Sequence, residues 1–245
     1  MSLTRILVCS FADPAHNLAL EEALLYEVDA GRSPATLRIW ESPRPFVVLG
    51  CGQRAAEEIF LEHCCEDGIP VLRRCTGGGC VLQGPGCVNF TIAVPLRQVP
   101  QWANVRASYR DILGRLSNVL NHEFACRTHC AEPSDLCVGD RKVSGNAQRR
   151  TRATMLHHGT LLWHVDYAAL RRYIKEPRQR PEYRGHRTHD EFVTTLPITS
   201  TQMVAVFRRA FAPQGVEGTL TREEEELTHR LAQQKYSQDT WTYRR

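Results

Sequence analysis

Short apolar segments that alternate with longer amphipathic segments recur along most of the chain. A run of four to eight apolar and β-branched residues bounded by turn residues is typical of a strand. This pattern predicts strands at 37–40, 46–50, 69–72, 80–82, 87–94, 136–138, 141–145 and 154–163. The strands predicted at 136–138 and 141–145 are joined by Gly139-Asp140, which is typical of a tight hairpin turn.

Six segments carry the spacing of apolar positions expected of a helix. The pattern predicts helices at 17–30, 55–67, 105–122, 166–174, 200–211 and 221–236. In the first of these, Leu18, Leu20 and the run 23–25 form a broad apolar face, and we expect Glu21, Glu22 and Glu27 to face solvent. Segment 177–189 is basic and poor in apolar residues, so we expect a surface loop of the kind that often carries function. Strands mixed with helices predict an α+β fold with a mixed sheet.

Composition excludes several classes of protein. The chain has 245 residues, which suits one sizeable domain, and no apolar run approaches the roughly 20 residues that cross a bilayer. The amino terminus shows no apolar leader, so we expect a cytoplasmic protein whose ten cysteines are free thiols. The net charge of +4 is modest and does not indicate a nucleic-acid partner. The cysteines and histidines near 122–130 match no common zinc spacing, so we expect no metal site.

The most distinctive segment is Arg73-Arg74-Cys75-Thr76-Gly77-Gly78-Gly79. Glycines let backbone N–H groups approach an anion closely, and guanidinium groups bind carboxylate or phosphate. The plainer interpretation is a flexible turn beside two solvated arginines. The predicted strands on both sides favour an ordered anion-binding loop, because a loop held between strands keeps its donors in place.

A second candidate site follows at 140–150. Lys142 precedes the small pair Ser144-Gly145, so its side chain has room to lie against a ligand. The alternative is a charged residue that protects an exposed strand edge. His157 and His158 are neighbours in a predicted strand, so at most one of them faces the site. A histidine that is hydrogen-bonded within the sheet is an equally good interpretation.

Four motifs occur in order along the chain. They are Arg-Arg-x-Thr-Gly-Gly-Gly-x-Val at 73–81, Gly-x-x-Asn-Phe at 86–90, Asp-Arg-Lys-Val-Ser-Gly-Asn-Ala-Gln at 140–148, and His-His-Gly-Thr-Leu-Leu at 157–162. In this order they resemble the lipoate-protein ligase A family, within the superfamily of biotin/lipoate ligases and octanoyltransferases. The resemblance extends from about residue 17 to residue 243 and so covers nearly the whole chain.

The resemblance implies a fold, a reaction and partners. The fold would be the α+β catalytic domain of these ligases, a central mixed β-sheet ringed by helices. It would form a single domain over 1–245 with no separate C-terminal accessory domain. The reaction would be ATP-dependent, with Mg²⁺, and would attach lipoate or octanoate through an acyl-adenylate to one lysine of a lipoyl carrier domain. The carrier would belong to the E2 subunit of a 2-oxoacid dehydrogenase or be the glycine cleavage H protein. Whether a separate accessory chain is needed stays open, and neither nucleic acid nor membrane is implied.

The resemblance also implies roles for individual residues. Lys142 matches the catalytic lysine of the family and would contact the acyl oxygen and the phosphate. The other matching positions would bind the acyl-adenylate; they are Arg73, Gly77, Gly78, Gly79, Asn89, Ser144, Gly145 and His158.

The sequence leaves two alternative functions open. Relatives with this fold transfer an octanoyl or lipoyl group between carrier proteins without ATP, through a cysteine thioester. Cys130, in Cys-Ala-Glu-Pro-Ser at 130–134, sits in a place similar to that cysteine, although its spacing to Lys142 is shorter. The unbroken triple glycine favours the ligase, whereas Gly84-Pro85-Gly86 and the short C-terminus favour the transferase. The third interpretation is a non-catalytic carrier-binding module, against which the intact Arg73, triple glycine and Lys142 argue.

Overall fold

A large mixed β-sheet forms the centre of the protein. The computed structural model describes residues 3–131, 134–178 and 180–245. The strands of both sheets are β1 (Arg5–Val8), β2 (Thr36–Glu41), β3 (Phe46–Leu49), β4 (Val71–Arg73), β5 (Val81–Gln83), β6 (Cys87–Pro95), β7 (Thr128–Ala131), β8 (Asp135–Val138), β9 (Arg141–Arg150), β10 (Thr154–Leu162) and β11 (Val216–Glu217). The large sheet has eight strands in the order β11-β1-β2-β6-β10-β9-β8-β7, and a smaller sheet has the order β4-β3-β5.

The large sheet combines both strand orientations. β1 runs parallel to β11 and β2, and every other pairing in this sheet is antiparallel. In the small sheet β3 runs parallel to β4 and antiparallel to β5. The connection from β4 to β5 is the triple-glycine segment, which is therefore held between two strands as the sequence predicts.

Nine α-helices surround the sheets in the described residues. They are α1 (Pro14–Asp29), α2 (Ala55–Glu58), α3 (Leu61–Glu66), α4 (Val105–Phe124), α5 (Tyr167–Tyr173), α6 (His189–Phe192), α7 (Ser200–Phe211), α8 (Arg222–Leu231) and α9 (Asp239–Thr242). On one face of the large sheet, α4 and α7 pack against strand residues such as Phe90, which stacks on Phe207 at 4.7 Å between ring centroids. On the other face, α1 packs against β1, β2 and β6, and it also contacts β3 of the small sheet. The predicted α+β fold with a mixed sheet ringed by helices is confirmed.

The prediction that the acidic residues of α1 face solvent is wrong. Glu21, Glu22 and Glu27 are each at most 2 % exposed, because α1 is covered on all sides by the sheet and by C-terminal segments. Arg32 pairs with Glu27, whereas the partners of Glu21 and Glu22 lie far away in the sequence. Glu22 accepts from Lys235 and Tyr236, and Glu21 belongs to the functional site described below.

Two further predictions differ from the structure. The helix predicted at 55–67 is interrupted, because Ile59 leaves the helical conformation and bridges to Ile174. The predicted surface loop 177–189, apart from residue 179, which lies outside the described residues, is partly buried: Arg184 and His189 pack inward. Arg184 stacks over the ring of Phe192 at 4.7 Å and pairs with Glu176, so its burial is compensated. The single-domain assignment over 1–245 stays a prediction.

Candidate active site

Two cavities meet at Lys142. The larger has a volume of about 830 Å³ and the smaller about 140 Å³. Both are lined by Lys142, Asp135, Gly145 and Gly79, so these residues form the wall between the two spaces. A long cationic side chain at such a junction can reach a ligand that extends from one space into the other.

The β8–β9 hairpin directs Lys142 toward this junction. Gly145 pairs with Asp135 and Lys142 pairs with Cys137, and a register shift leaves Val143 as an extra residue between them. Regular alternation would place positions 142 and 145 on opposite faces, because they are three residues apart. The bulge restores them to one face, which they share with Asp135. The sequence predicts the hairpin but not the bulge.

Gly145 provides the space in which the end of Lys142 lies. A Cβ atom at position 145 would stand 2.9 Å from Nζ of Lys142 and 3.0 Å from its Cε. Such separations are shorter than ordinary van der Waals contact, so only glycine leaves this path open. The structure thus brings Lys142 and Gly145 together, as expected from the small pair at 144–145.

An acidic residue holds the ammonium group of Lys142. Its Nζ lies 2.9 Å from Oδ1 of Asp135, whose side chain is only 7 % exposed. The second carboxylate oxygen of Asp135 accepts a hydrogen bond from the hydroxyl of Tyr183 at 2.5 Å. The pKa of Tyr183 is raised by burial and by the Asp135 carboxylate, so this phenol is a neutral donor.

The triple-glycine loop is held by Arg74. The Arg74 Nη2 donates to the carbonyls of Gly77 at 2.6 Å and Gly79 at 2.9 Å, and its Nε donates to the hydroxyl of Thr76 at 2.9 Å. Burial lowers the pKa of this guanidinium, whose hydrogen bonds go to backbone and hydroxyl oxygens. Gly78 has a φ of +89°, which favours glycine. Gly78 and Gly79 line the smaller cavity, whereas Gly77 lines neither.

The strand β3 approaches this loop closely at its end. A Cβ atom at Gly50 would lie 2.0 Å from the carbonyl oxygen of Gly78. Gly50 is therefore required for contact between the small sheet and the loop, a requirement that the sequence does not reveal.

The structure places Arg73 away from both cavities, in contrast to the expected lining of the tunnel. Arg73 is fully buried, and it donates to the carbonyls of Gly50, Gln53 and Thr242 at 2.7–2.9 Å. Adjacent residues point in opposite directions at the end of a strand, so one arginine of the pair turns to the loop and the other to the C-terminal segment. Arg74, not Arg73, contributes to the smaller cavity.

A hydrogen-bonded chain connects α1 with the glycine loop through His158. The His158 Nδ1 lies 2.7 Å from Oε2 of Glu21, and its Nε2 lies 2.8 Å from the hydroxyl of Thr76. Burial acts to raise the pKa of Glu21, but His158 and Arg38 outweigh it and hold that pKa below its usual value. Glu21 is therefore a buried carboxylate in the wall of the smaller cavity.

Of the two adjacent histidines, only His158 lines a cavity. His157 is fully buried and contacts Gln148 at 3.0 Å and Asn146 at 3.2 Å. Burial lowers the pKa of His157 well below 6.5, so its ring is neutral at neutral pH. The expectation that at most one of the pair faces the site agrees with this arrangement.

Two further predicted site residues are already paired within the protein. Asn89 lines the smaller cavity, and its side-chain amide exchanges two hydrogen bonds with Gln83 at 2.8 and 2.9 Å. Ser144 is buried and lines neither cavity; its hydroxyl accepts from Asn146. Asn146 itself needs Gly159 as a neighbour, since a Cβ atom there would lie 1.9 Å from its Oδ1.

Cys130, the alternative nucleophile, lies on the edge strand β7 and lines neither cavity. It pairs with Leu136, whereas Lys142 shares its face with Asp135 and Cys137. The register therefore places Cys130 on the other face of the sheet from Lys142. Glu132 and Pro133 of the same motif lie outside the described residues.

Two other thiols do line the cavities. Cys80 is in the wall of both spaces and Cys87 in the wall of the larger one, and burial raises the pKa of each to about 12. Thiols with such pKa values stay protonated and are weak nucleophiles. Within the described ranges, no group of three His, Cys, Asp or Glu side chains is placed to hold a metal ion. No helix in the described part of the chain is long and apolar enough to span a membrane.

Sequence reasoning missed Asp135 and Tyr183, expected Glu21 to face solvent, and chose Arg73 instead of Arg74 as the arginine that lines the site. Asp135 lies directly before the predicted strand 136–138, and its position opposite Gly145 follows from hairpin pairing, so this residue could have been found. Tyr183 comes from a short 3-10 helix (Glu182–Arg184), 41 residues further on than Lys142, and no spacing rule connects the two.

Comparison with known proteins identifies a family. The family model described as lipoyl protein ligase A/B catalytic domain matches residues 13–212. The octanoyltransferase LipM of Kyrpidia tusciae is 29 % identical over 100 % of both chains. The lipoate-protein ligase LplJ of Bacillus subtilis is 25 % identical over 95 % of this chain and 71 % of its own. The resemblance to this family that the four motifs show is therefore confirmed.

Among solved structures, a bi-partite lipoate protein ligase from Thermoplasma acidophilum, studied with its E2 lipoyl domain, has a similar fold. The TM-score is 0.86 at 24 % identity, over 99 % of this chain and 96 % of the other. At this level of identity the likeness establishes the fold alone. The curated relatives include more octanoyltransferases LipM than ligases, so the comparisons support attachment of lipoate or octanoate to a carrier and do not support ATP dependence.

Proposed function

The chain belongs to the lipoyl protein ligase A/B catalytic domain family, and on that premise we propose that it joins lipoate or octanoate to a lysine of a lipoyl carrier domain by way of an acyl-adenylate made from ATP. The single observation that carries this proposal is the position of Lys142 at the junction of two cavities of different size. An acyl-adenylate has an apolar chain at one end, a nucleotide at the other and an acyl phosphate between them, so it could extend through both cavities past Lys142.

The smaller cavity suits the acyl chain. Leu18, Trp40 and Val48 provide apolar walls on one side of Lys142, and Ala147 adds another. Apolar surface of this kind gains about 0.8 kcal/mol for each buried methylene. The chain's carboxylate would then lie beside Lys142 at the junction.

The larger cavity suits the nucleotide and its phosphates. Its wall includes cationic side chains, namely Lys175, Arg180 and Arg184, in addition to Lys142. Phosphate oxygens bind such groups strongly. Mg²⁺ would be bound largely through phosphates and water, as is usual for this ion.

Lys142 would stabilise negative charge in both steps. When the carboxylate attacks the α-phosphate, charge builds on the phosphate oxygens, and when the carrier lysine attacks the acyl carbon, charge builds on the acyl oxygen. A fixed ammonium group at the junction interacts with both positions and needs no reorganisation during the reaction. Asp135 and Gly145 would keep that group in place.

The state of the thiols supports the adenylate route over a thioester. Cys130 lies on the opposite face of the sheet from Lys142, and the two thiols that line the cavities, Cys80 and Cys87, stay protonated because burial raises the pKa of each to about 12. A thioester mechanism requires a thiolate near the acyl carbon. The second candidate function is nevertheless octanoyl or lipoyl transfer between carriers without ATP, which the full-length likeness to the LipM of K. tusciae favours.

A carrier-acylation assay tests the proposal. Purified protein is incubated with an apo lipoyl domain and octanoate, with and without MgATP, and the carrier mass is measured. The adenylate route predicts a mass gain only with ATP. A parallel reaction offers octanoyl-acyl carrier protein as donor without ATP, and there we expect no gain.

Two variants sharpen the assay. Lys142→Ala should abolish ATP-dependent acylation, whereas Cys130→Ser should retain it, since Cys130 lines neither cavity. Acylation from the thioester donor that disappears in Cys130→Ser would instead establish the transferase. The absence of any acylation under either condition would support a non-catalytic carrier-binding module or a requirement for an accessory chain. Repeating the assay with a cell extract added would separate these two cases.

A further inference from the structure

Tyr183 connects the segment 180–193 to the hairpin that carries Lys142. Its hydroxyl donates to Oδ2 of Asp135 at 2.5 Å, and its ring lies 5.4 Å from that of Phe192. Arg187 donates to the Tyr183 carbonyl and also to Asp140, in the turn between β8 and β9. Tyr183 is therefore held by its hydroxyl, by its ring and by its backbone carbonyl.

The Asp135 carboxylate is fixed by contacts at both of its oxygens. The Lys142 Nζ lies 2.9 Å from Oδ1, and the Tyr183 hydroxyl donates to Oδ2. A carboxylate with one free oxygen can rotate and exchange its partners, whereas one with both oxygens occupied has a defined orientation. The direction in which Asp135 holds the ammonium group thus depends on the phenol.

Tyr183 contacts the site through Asp135 and not through the cavities themselves. It lines neither the larger nor the smaller cavity, in contrast to Asp135 and Lys142, which line both. Resting on the function proposed above, we propose that Tyr183 is a positioning residue, which aligns Lys142 for acyl transfer by fixing the Asp135 carboxylate.

Steady-state kinetics of Tyr183→Phe test this role. The substitution keeps the ring contact with Phe192 and removes only the hydroxyl. Loss of a hydrogen bond to a charged group predicts a fall in kcat of about tenfold or more, with KM for octanoate and ATP within about twofold of wild type. Tyr167→Phe is the matched control, because its hydroxyl donates to the Val193 carbonyl and does not touch Asp135. The control should keep the wild-type kcat.

A double-mutant cycle separates positioning from a general structural effect. If Tyr183 acts only through Asp135, adding Tyr183→Phe to Asp135→Asn should change kcat by less than about twofold. Equal effects in both backgrounds, or a rise in KM at unchanged kcat, would overturn the proposal.

Chemical labelling tests the same alignment without relying on activity. The chain has three lysines, Lys142, Lys175 and Lys235, so a short pulse of acetic anhydride followed by peptide mass spectrometry resolves each one. In Tyr183→Phe we expect Lys142 to react faster by roughly threefold or more, because its ammonium group is held less firmly. Lys175 and Lys235 should be unchanged and report on folding. Unchanged Lys142 labelling overturns the proposal. Faster labelling in a protein that shows no ATP-dependent acylation would instead reject the proposed function and keep the positioning role.

Discussion

Substitution of Gly145 by alanine tests whether the path of Lys142 matters for activity. The new Cβ would lie 2.9 Å from Nζ and 3.0 Å from Cε of Lys142, whereas ordinary contact begins near 3.4 Å. The end of the lysine must therefore move by about 0.5–1 Å. Gly145 does not have a positive φ, so alanine fits the backbone, and the atom that must move is the tip of a flexible side chain.

This geometry predicts that stability and activity respond differently. We expect the free energy of unfolding of Gly145→Ala to change by less than about 1 kcal/mol. A displacement of about 1 Å at the reacting centre can cost on the order of 100-fold in rate, so kcat for carrier acylation should fall by about that factor.

The measurement pairs a urea unfolding curve with the carrier-acylation rate at saturating substrates. Gly114→Ala is the matched control: Gly114 lies inside α4 with nothing within 4 Å of an added Cβ. Alanine there should stabilise the protein by about 0.5–1 kcal/mol and leave kcat unchanged. A Gly145→Ala variant with wild-type kcat would refute the argument that the lysine must lie across this position.

Three further predictions concern the surroundings of the site. His157→Gln should make the stability of the protein less sensitive to acid. Burial lowers the pKa of His157, so below pH 6.5 the unfolded chain binds a proton that the folded protein does not. In urea unfolding, the free energy of unfolding of wild type should therefore fall by about 1.4 kcal/mol per pH unit more than that of the variant. Arg74→Lys keeps the charge but loses the forked contacts to Gly77 and Gly79, so amide hydrogen exchange of residues 77–79 should accelerate by tenfold or more; unchanged protection would contradict the role given to Arg74. Glu21→Gln removes the buried charge that compensates Arg38, which should cost about 3–5 kcal/mol and lower Tm by roughly 10 °C at pH 7. An unchanged Tm would show that the buried charge is dispensable.

The sequence predicts the strands and the loop of this site better than it predicts where their side chains point. The hairpin around Lys142 and the glycine loop between two strands follow from local patterns that short-range physics controls. Which arginine of the pair 73–74 faces the cavity does not, because strand alternation gives opposite directions without saying which side holds the ligand. Register details such as the bulge at Val143 also depend on packing against neighbouring strands.

Burial of charge is the other point at which sequence reasoning fails. The acidic residues of α1 resemble a solvated helix face, and only the tertiary fold brings Arg38, His158 and Lys235 to them. Tyr183 is a similar case, since its contact with Asp135 spans 48 positions of the chain. Contacts of this kind depend on how distant segments pack, and one sequence does not encode them in any local pattern.

Isotope exchange between pyrophosphate and ATP tests the central claim most directly, because it detects the adenylate step without a carrier protein. With octanoate or lipoate present, wild-type protein should incorporate labelled pyrophosphate into ATP, and Lys142→Ala should not. Omission of the acid should also abolish the exchange. Wild-type protein that shows no exchange, yet transfers octanoate from a thioester donor to a lipoyl domain, would contradict the adenylate mechanism.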